Sequence, residues 1–204
     1  MVKKWLYSLS IAVLGFAALS FTADRNEPVK PAPATGNRMA TAKPANDPTL
    51  VKRGEYLVTI MGCTDCHSPK KFTDKGPVSD MDRYLSGYDA REKLPPFDRN
   101  IVKDGQWAMF SSQFTAIAGP WGVSFAANLT PDETGIGNWT FEQFSKAFRQ
   151  GKYRGQDNTR PLLPPMPWEQ YAHVTDDDAK AIFAYLKSLK PVRNTVPMPI
   201  PPGQ

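Results

Sequence analysis

The two cysteines of the chain and one of its two histidines fall within five consecutive positions, Cys63 to His67. Two cysteines allow at most one disulfide, so the chain is not built on a disulfide framework. They also supply only half of a four-cysteine zinc site, and two histidines leave little room for a multi-histidine metal centre. This short cluster therefore limits the metal and redox chemistry that the chain can carry.

The order of the cluster, Cys63-Thr64-Asp65-Cys66-His67, is the C-x-x-C-H pattern of covalent haem attachment. Cysteines at this spacing lie about one helical turn apart, so both sulfurs can reach the vinyl groups on one haem edge. A thioredoxin-like redox pair is the alternative, but that motif usually lies in a strand–helix context, which this segment lacks. We interpret Cys63 and Cys66 as the sites of two thioether bonds to one haem c, and His67 as an iron ligand.

The N-terminal segment, residues 1–23, has the plan of an export signal. Residues 1–4 are basic, residues 5–21 are mostly apolar, and small residues at 18–20 provide a cleavage site. An uncleaved membrane anchor is the alternative, since an apolar run of this length is at the short end of a spanning helix. Either interpretation predicts an exported protein, periplasmic and soluble or anchored to the inner membrane.

The rest of the chain divides by composition into three parts. Residues 24–47 are rich in proline, alanine and charged residues, which predicts an extended linker. Residues 48–194 are expected to form the folded domain, and residues 195–204 a proline-rich tail. The formal net charge of +5 includes two lysines of the N-terminal segment and no dense basic run, so the charge does not indicate a nucleic-acid partner.

Three helices are predicted within the domain from their terminal residues. Asp47, Thr140 and Thr175 are N-cap residues, and each precedes apolar positions at helical spacing. Gly62 and Gly151 are expected to end the first two helices.

A loop-rich insertion is predicted at residues 68–127, which hold many glycines and prolines. Within it, aromatic and small residues alternate from Trp107 to Phe125, and Gly119-Pro120 separates two short segments of this pattern. This favours a small β-hairpin at that point.

A second axial ligand is expected for a haem iron that carries electrons. Met166 lies in the segment LLPPMPW, where the surrounding prolines restrict φ and stiffen the loop that presents the sulfur. Met61 lies on a face of the first helix, and His173 is the alternative ligand. We predict His67 and Met166 as the axial pair.

These motifs together resemble those of class I c-type cytochromes, in particular the larger bacterial monohaem and subunit cytochromes related to the partners of membrane dehydrogenases. The segments that carry the resemblance are GCTDCHSPK at 62–70, GPWGVSFAANLTPDETGIGNWTFEQF at 119–144, LLPPMPW at 162–168 and TDDDAKAIFAYLKSLKPV at 175–192. The resemblance implies an all-α, haem-wrapping class I cytochrome c fold, in which Gly54 lets the N- and C-terminal helices approach closely. It also implies that a proline carbonyl shortly after the motif accepts a hydrogen bond from the ring N–H of His67 that faces away from the iron. Pro77 is the candidate for that proline.

Three further groups of side chains are assigned by chemical type. The apolar wall of the haem site is expected to include Trp107, Phe110, Trp121, Phe125 and Trp168. Contacts to the haem propionates are expected from Asn128, Thr130, Trp139 and Arg149. Lysines that steer an acidic redox partner are expected at Lys70, Lys71, Lys75 and Lys93.

The combined interpretation is a monohaem c-type cytochrome that carries single electrons between periplasmic or membrane-bound redox proteins. It is an electron-transfer protein rather than an enzyme, because no nucleophile partner is evident for His173 and no phosphate-binding loop is seen. A haem subunit of a larger dehydrogenase or oxidase complex is one alternative, and the N-terminal segment is compatible with membrane association. A five-coordinate haem sensor is another, and it requires that Met166 does not bind the iron.

Overall fold

The computed structural model describes residues 47–203. The predicted signal or anchor at 1–23 and most of the predicted linker lie outside the described residues. The described α-helices are α1 (Pro48–Ile60), α2 (Cys63–His67), α3 (Asn100–Lys103), α4 (Phe141–Gln150), α5 (Trp168–Tyr171) and α6 (Asp176–Ser188). The described strands are β1 (Lys70–Thr73), β2 (Gly76–Ser79), β3 (Met109–Phe110), β4 (Ala116–Gly119) and β5 (Gly122–Phe125). No helix within this part of the chain is long and apolar enough to cross a membrane.

The three longer helices begin where their capping residues predict. Asp47 accepts a hydrogen bond from the Thr49 N–H at 2.8 Å, and Thr175 accepts one from Asp178 at 3.2 Å. Thr140 forms a reciprocal capping box with Gln143 at the start of α4. These bonds satisfy backbone donors that the first helical turn leaves without an intrahelical partner.

Helices α1 and α6 cross at Gly54, as the resemblance implies. A Cβ atom at this position would lie 2.0 Å from the Ala181 carbonyl oxygen and 2.7 Å from Cβ of Tyr185. Only glycine permits that approach, because any side chain would overlap the backbone of α6. The crossing brings buried side chains of α1 and α6 into one core with those of α4, namely Leu57, Val58, Phe144, Phe148, Ile182 and Leu186.

The insertion is not only loop, and the expected all-α class is not confirmed. Strands β1 and β2 form a two-stranded antiparallel sheet, and β3, β4 and β5 form a second sheet in that order. The hairpin predicted at Gly119-Pro120 is confirmed, since β4 pairs with β5 and Gly119 lies opposite Gly122. Pairing as strands satisfies the backbone N–H and C=O groups of these short segments.

The proline-rich tail contributes one strand-like contact to the second sheet. The Val123 N–H donates to the Ile200 carbonyl at 2.8 Å, and the Ile200 N–H donates back at 2.9 Å. Ile200 also packs against a small core that includes Val102, Ala118 and Val123. The described part of the tail therefore lies against β5, on the side opposite β4.

Candidate functional site

One cavity of about 250 Å³ is lined by all four residues predicted to hold the haem: Cys63, Cys66, His67 and Met166. The walls come from α1, α4 and α6, from the end of β5 and from the loop before α5. Apolar side chains among them include Val58, Ile117, Phe125, Leu129, Ile136, Phe144, Phe148, Ile182 and Leu186. A concave apolar cavity with a few polar groups is the usual form of a cofactor site.

The two cysteines are presented by the short helix α2. Gly62, whose φ of 67° lies in the left-handed region, turns the chain from α1 into α2. Residues three apart on a helix lie on the same face, and Cys63 and Cys66 are both free, half-buried thiols. Burial raises the pKa of Cys63 to about 11 and also raises the pKa of Cys66. Both are therefore neutral near pH 7, unlike the thiolate of a thioredoxin-like pair.

The imidazole of His67 is held by a backbone carbonyl from the end of the insertion. Its Nδ1 lies 2.8 Å from the Ala127 carbonyl oxygen. Because a carbonyl only accepts, Nδ1 carries the hydrogen and Nε2 keeps a lone pair for a metal. Burial lowers the pKa of His67, which favours this neutral form.

The prediction that Pro77 provides this carbonyl is wrong. Pro77 lies in β2, where it is exposed and pairs with Phe72 of β1. The residues that follow the motif form this hairpin instead of returning beneath His67, so a carbonyl 60 positions along the chain takes the role.

Lys70 secures the C-terminal end of α2. Its ammonium donates to the carbonyl oxygens of Thr64 at 2.9 Å, Asp65 at 2.9 Å and Ser68 at 2.6 Å. The Thr64 carbonyl also accepts from the Ser68 N–H at 3.2 Å, so Lys70 adds a second donor there, and its charge opposes the negative end of the helix dipole. Lys70 therefore supports the motif, in contrast to the exposed docking role predicted for it.

Met166 is presented by the loop that follows α4. The Leu162 N–H donates to the Gly151 carbonyl at 2.7 Å, and the Met166 N–H donates to Leu163 at 3.3 Å. The hydroxyl of Ser124 donates to the Pro164 carbonyl at 2.7 Å. These bonds place the half-buried Met166 in the wall of the cavity.

His173, the alternative ligand, is exposed and does not belong to the cavity lining. Met61 packs at the edge of the helical core and also lies outside the lining. Met166 is therefore the one methionine of residues 47–203 that lines the cavity together with His67.

The predicted aromatic wall is only partly correct. Phe125 lines the cavity, but the side chains of Trp107 and Phe110 are 67% and 45% exposed and lie outside the lining. Trp168 lies against Gly151, where a Cβ would come within 2.4 Å of the indole ring. The wall is formed mainly by the helical core. The spacing of Phe144 and Phe148 predicted a buried stripe, and in the structure that stripe also faces the cavity.

Most of the side chains predicted to meet propionates have structural partners. Asn128 donates to the Val192 carbonyl at 2.9 Å and accepts from the Thr130 hydroxyl at 2.8 Å. Arg149 forms an ion pair with Asp176 at 2.6 Å. Asn128 and Trp139 lie in the cavity lining, whereas Thr130 and Arg149 do not.

Sequence reasoning missed Arg160, which is the one lysine or arginine among the residues that line the cavity. Its guanidinium lies 4.1 Å from the centre of the Tyr153 ring and donates to the Pro161 carbonyl at 2.9 Å. Its position six residues before Met166 in the same loop region was the available signal. A cation in an apolar wall suits a ligand that carries carboxylates.

The lining residues fit a covalently bound haem. Two neutral thiols, an imidazole with Nε2 available and a thioether share the cavity, and the surrounding walls are apolar. This is the donor set of a haem c with histidine and methionine ligands.

Comparison with known proteins finds relatives that are named as cytochrome subunits of dehydrogenases. No family model matches the chain. The chain is 31% identical over 176 residues to the fructose dehydrogenase cytochrome subunit of Gluconobacter japonicus, covering 85% of this chain and 26% of the relative. It is 35% identical over 142 residues to the gluconate 2-dehydrogenase cytochrome c subunit of Pantoea cypripedii, covering 69% and 23%. It is 30% identical over 148 residues to the alcohol dehydrogenase (quinone) cytochrome c subunit of Gluconobacter oxydans, covering 72% and 23%.

The chain spans about a quarter of the length of these curated relatives. They are named as cytochrome subunits of dehydrogenases. Their names agree with the C-x-x-C-H motif and with the donor set of the cavity, both of which indicate haem c. The chain is a c-type cytochrome related to the cytochrome subunits of membrane dehydrogenases.

Proposed function

We propose that this chain carries single electrons through one haem c, bound by thioethers to Cys63 and Cys66, with His67 and Met166 as axial ligands. The observation that carries the proposal is the convergence of these four side chains on one apolar cavity. When bound, haem c supplies an iron that changes between Fe(III) and Fe(II), so no substrate bond is made or broken.

The residues around the proposed haem have separate roles in this proposal. The Ala127 carbonyl keeps His67 in the tautomer that leaves Nε2 available, and burial keeps the ring neutral. The thioether of Met166 is a soft ligand that favours Fe(II) and so raises the reduction potential. Arg160 is the cation that would offset the charge of a propionate.

The helical core supports the same proposal by excluding water from the cavity. Phe144, Phe148, Ile182 and Leu186 lie in its wall and are each less than a tenth exposed. An apolar surround disfavours the extra positive charge of Fe(III), which also raises the potential. With α1 and α6 crossing at Gly54, these features support a class I cytochrome c fold with a β-containing insertion.

A haem subunit of a dehydrogenase complex is the second candidate, favoured by the similarity to cytochrome subunits of dehydrogenases. In both cases we propose an exported protein whose partners are redox proteins, with the N-terminal segment as its export signal or anchor. Native purification separates the two candidates, because a free carrier is recovered alone whereas a subunit is recovered with a substrate-oxidising dehydrogenase.

The proposal predicts one covalently attached haem per chain. Expressed with a haem-attachment system, the protein should gain the mass of one haem, retain it after denaturation, and be reduced and reoxidised reversibly. The measurement is intact mass spectrometry combined with a redox titration followed by absorbance.

A Cys63→Ala/Cys66→Ala double variant is the matched comparison, because it leaves His67 and Met166 in place. It should lose the covalent haem. A wild-type chain that carries no haem after denaturation, or a double variant that keeps one, would contradict the proposal.

A further inference from the structure

The segment formed by residues 124–127 contacts the chain on both sides of the proposed haem site. At its start, the Ser124 hydroxyl lies 2.7 Å from the Pro164 carbonyl oxygen, two residues before Met166. At its end, the Ala127 carbonyl oxygen lies 2.8 Å from Nδ1 of His67. One short segment of the insertion is thus hydrogen-bonded to the segments that hold both proposed axial ligands.

The Ser124 bond is well placed to hold the Met166 loop. Ser124 is 7% exposed, and its hydroxyl lies 2.7 Å from the Pro164 carbonyl and 3.3 Å from that of Ile117. A hydroxyl has one hydrogen to donate, so the shorter contact is the bond.

The Met166 loop makes few other hydrogen bonds to the sheet. Pro164, Pro165 and Pro167 have no N–H groups, so they donate no backbone hydrogen bonds. Within the described chain, the backbone N–H groups of Leu162 and Met166 bond to Gly151 and to Leu163, not to a strand. The Ser124 hydroxyl therefore links the loop to the sheet.

Strand β5, which leads into the segment and includes Ser124, is held on both edges. Ser124 lies opposite Ile117 of β4, and the Ala126 N–H donates to the Thr115 carbonyl at 2.8 Å. On the other edge, Val123 pairs with Ile200 of the tail. A strand paired on both edges moves less than a free loop, so contacts made from it are fixed in position.

We infer that residues 124–127 are a strap that positions both axial ligands, and that Ser124 is the positioning residue for the Met166 loop. The inference rests on the proposed function, because it concerns the ligation of the haem iron. Ala127 acts through its backbone, whereas Ser124 acts through its side chain and can be tested by substitution.

Loss of the Ser124 hydroxyl should loosen the loop and weaken the bond between Met166 and the iron. A weaker sulfur ligand stabilises Fe(II) less, so the reduction potential should fall. The reduced protein should also bind carbon monoxide more readily, by about tenfold, the size expected for one buried hydrogen bond.

The test compares Ser124→Val with Ser124→Thr in the haem-loaded protein. Valine and threonine have nearly the same shape and differ in the hydroxyl, so the pair separates hydrogen bonding from packing. The readouts are covalent haem content, the sulfur–iron absorption band of the oxidised protein, carbon monoxide affinity and reduction potential. Ser111→Ala is the control, because Ser111 accepts a bond from Ala116 within the same sheet and does not contact the loop.

The inference predicts that Ser124→Val keeps its covalent haem, shows a weaker sulfur–iron band and binds carbon monoxide about tenfold more tightly, whereas Ser124→Thr and Ser111→Ala resemble wild type. If Val and Thr variants behave alike, the hydroxyl does not position the loop and the inference is overturned. If the wild-type protein itself lacks the sulfur–iron band, the proposed axial pair is wrong, which is a different result from failure of the strap.

Discussion

Lys70 shows how a single side chain can support the haem motif without being part of it. Its ammonium reaches three carbonyl oxygens at the end of α2, each within 2.9 Å. The helix spans only five residues, and the Lys70 ammonium is the hydrogen-bond partner found for the Asp65 carbonyl and a second partner for that of Thr64. The position of Cys66 and His67 therefore depends on a lysine that follows them.

Replacing Lys70 should destabilise the protein. Lys70→Met keeps the aliphatic stem and removes three charge-assisted hydrogen bonds, so we expect the free energy of unfolding to fall by about 1–3 kcal/mol. The measurement is denaturant unfolding of the haem-loaded protein, followed by absorbance of the haem.

Lys71→Met is the matched control, because Lys71 is exposed and its ammonium pairs with Asp80 and Asp82 instead of the motif. Lys71→Met should lower the free energy of unfolding much less than Lys70→Met does, because exposed ion pairs contribute little. Equal losses in the two variants would show that Lys70 does not support α2 specifically.

Single-residue assignments could be predicted from the sequence where the chemistry is local. The spacing of Cys63, Cys66 and His67 identifies the haem motif, and the prolines around Met166 identify a stiff loop. The carbonyl that orients His67 could not be predicted, because every residue has a carbonyl and Ala127 lies 60 positions away. Ser124 was missed for the same reason, since its partner Pro164 lies 40 positions away.

At the level of helices and strands, the crossing of α1 and α6 determines the position of one wall of the cavity. Gly54 lies against the Ala181 carbonyl, and this contact lets Val58 of α1 and Ile182 of α6 line the same cavity. A larger residue at the crossing would push the two helices apart and displace that wall.

Gly54→Ala should lower the free energy of unfolding by about 1–3 kcal/mol, because the new Cβ overlaps the backbone of α6. This loss is expected although alanine is favoured over glycine in a helix by about 1 kcal/mol. The measurement is thermal or denaturant unfolding. Glu55→Ala, at the next and exposed position of α1, is the control and should change stability little. A more stable Gly54→Ala variant would contradict the close crossing.

Helix ends were predictable because they depend on local hydrogen bonds, as at Asp47, Thr140 and Thr175. The hairpin at Gly119-Pro120 followed from its turn residues. The β1–β2 hairpin was not singled out, because Pro77 lies within β2 and proline is uncommon in strands. Its presence also explains why the chain after the motif is not available to His67.

For the chain as a whole, the insertion is the part whose role the sequence left unassigned. In the structure it provides a sheet, one end of which is hydrogen-bonded to His67 and to the Met166 loop. The long separation between the two predicted axial ligands is therefore bridged by folded structure, and the tail adds to it through Ile200.

The measurement that tests the account most directly is carbon monoxide binding and the absorption spectrum of Met166→Ala. In the wild-type protein, His67 and Met166 should occupy both axial positions, so the reduced form should bind carbon monoxide poorly. Met166→Ala should keep its covalent haem, lose the sulfur–iron band, bind carbon monoxide and show a lower reduction potential. Met81→Ala, at a methionine that is 68% exposed, should match wild type. A Met166→Ala protein with an unchanged spectrum and no new carbon monoxide binding would contradict the proposed axial pair.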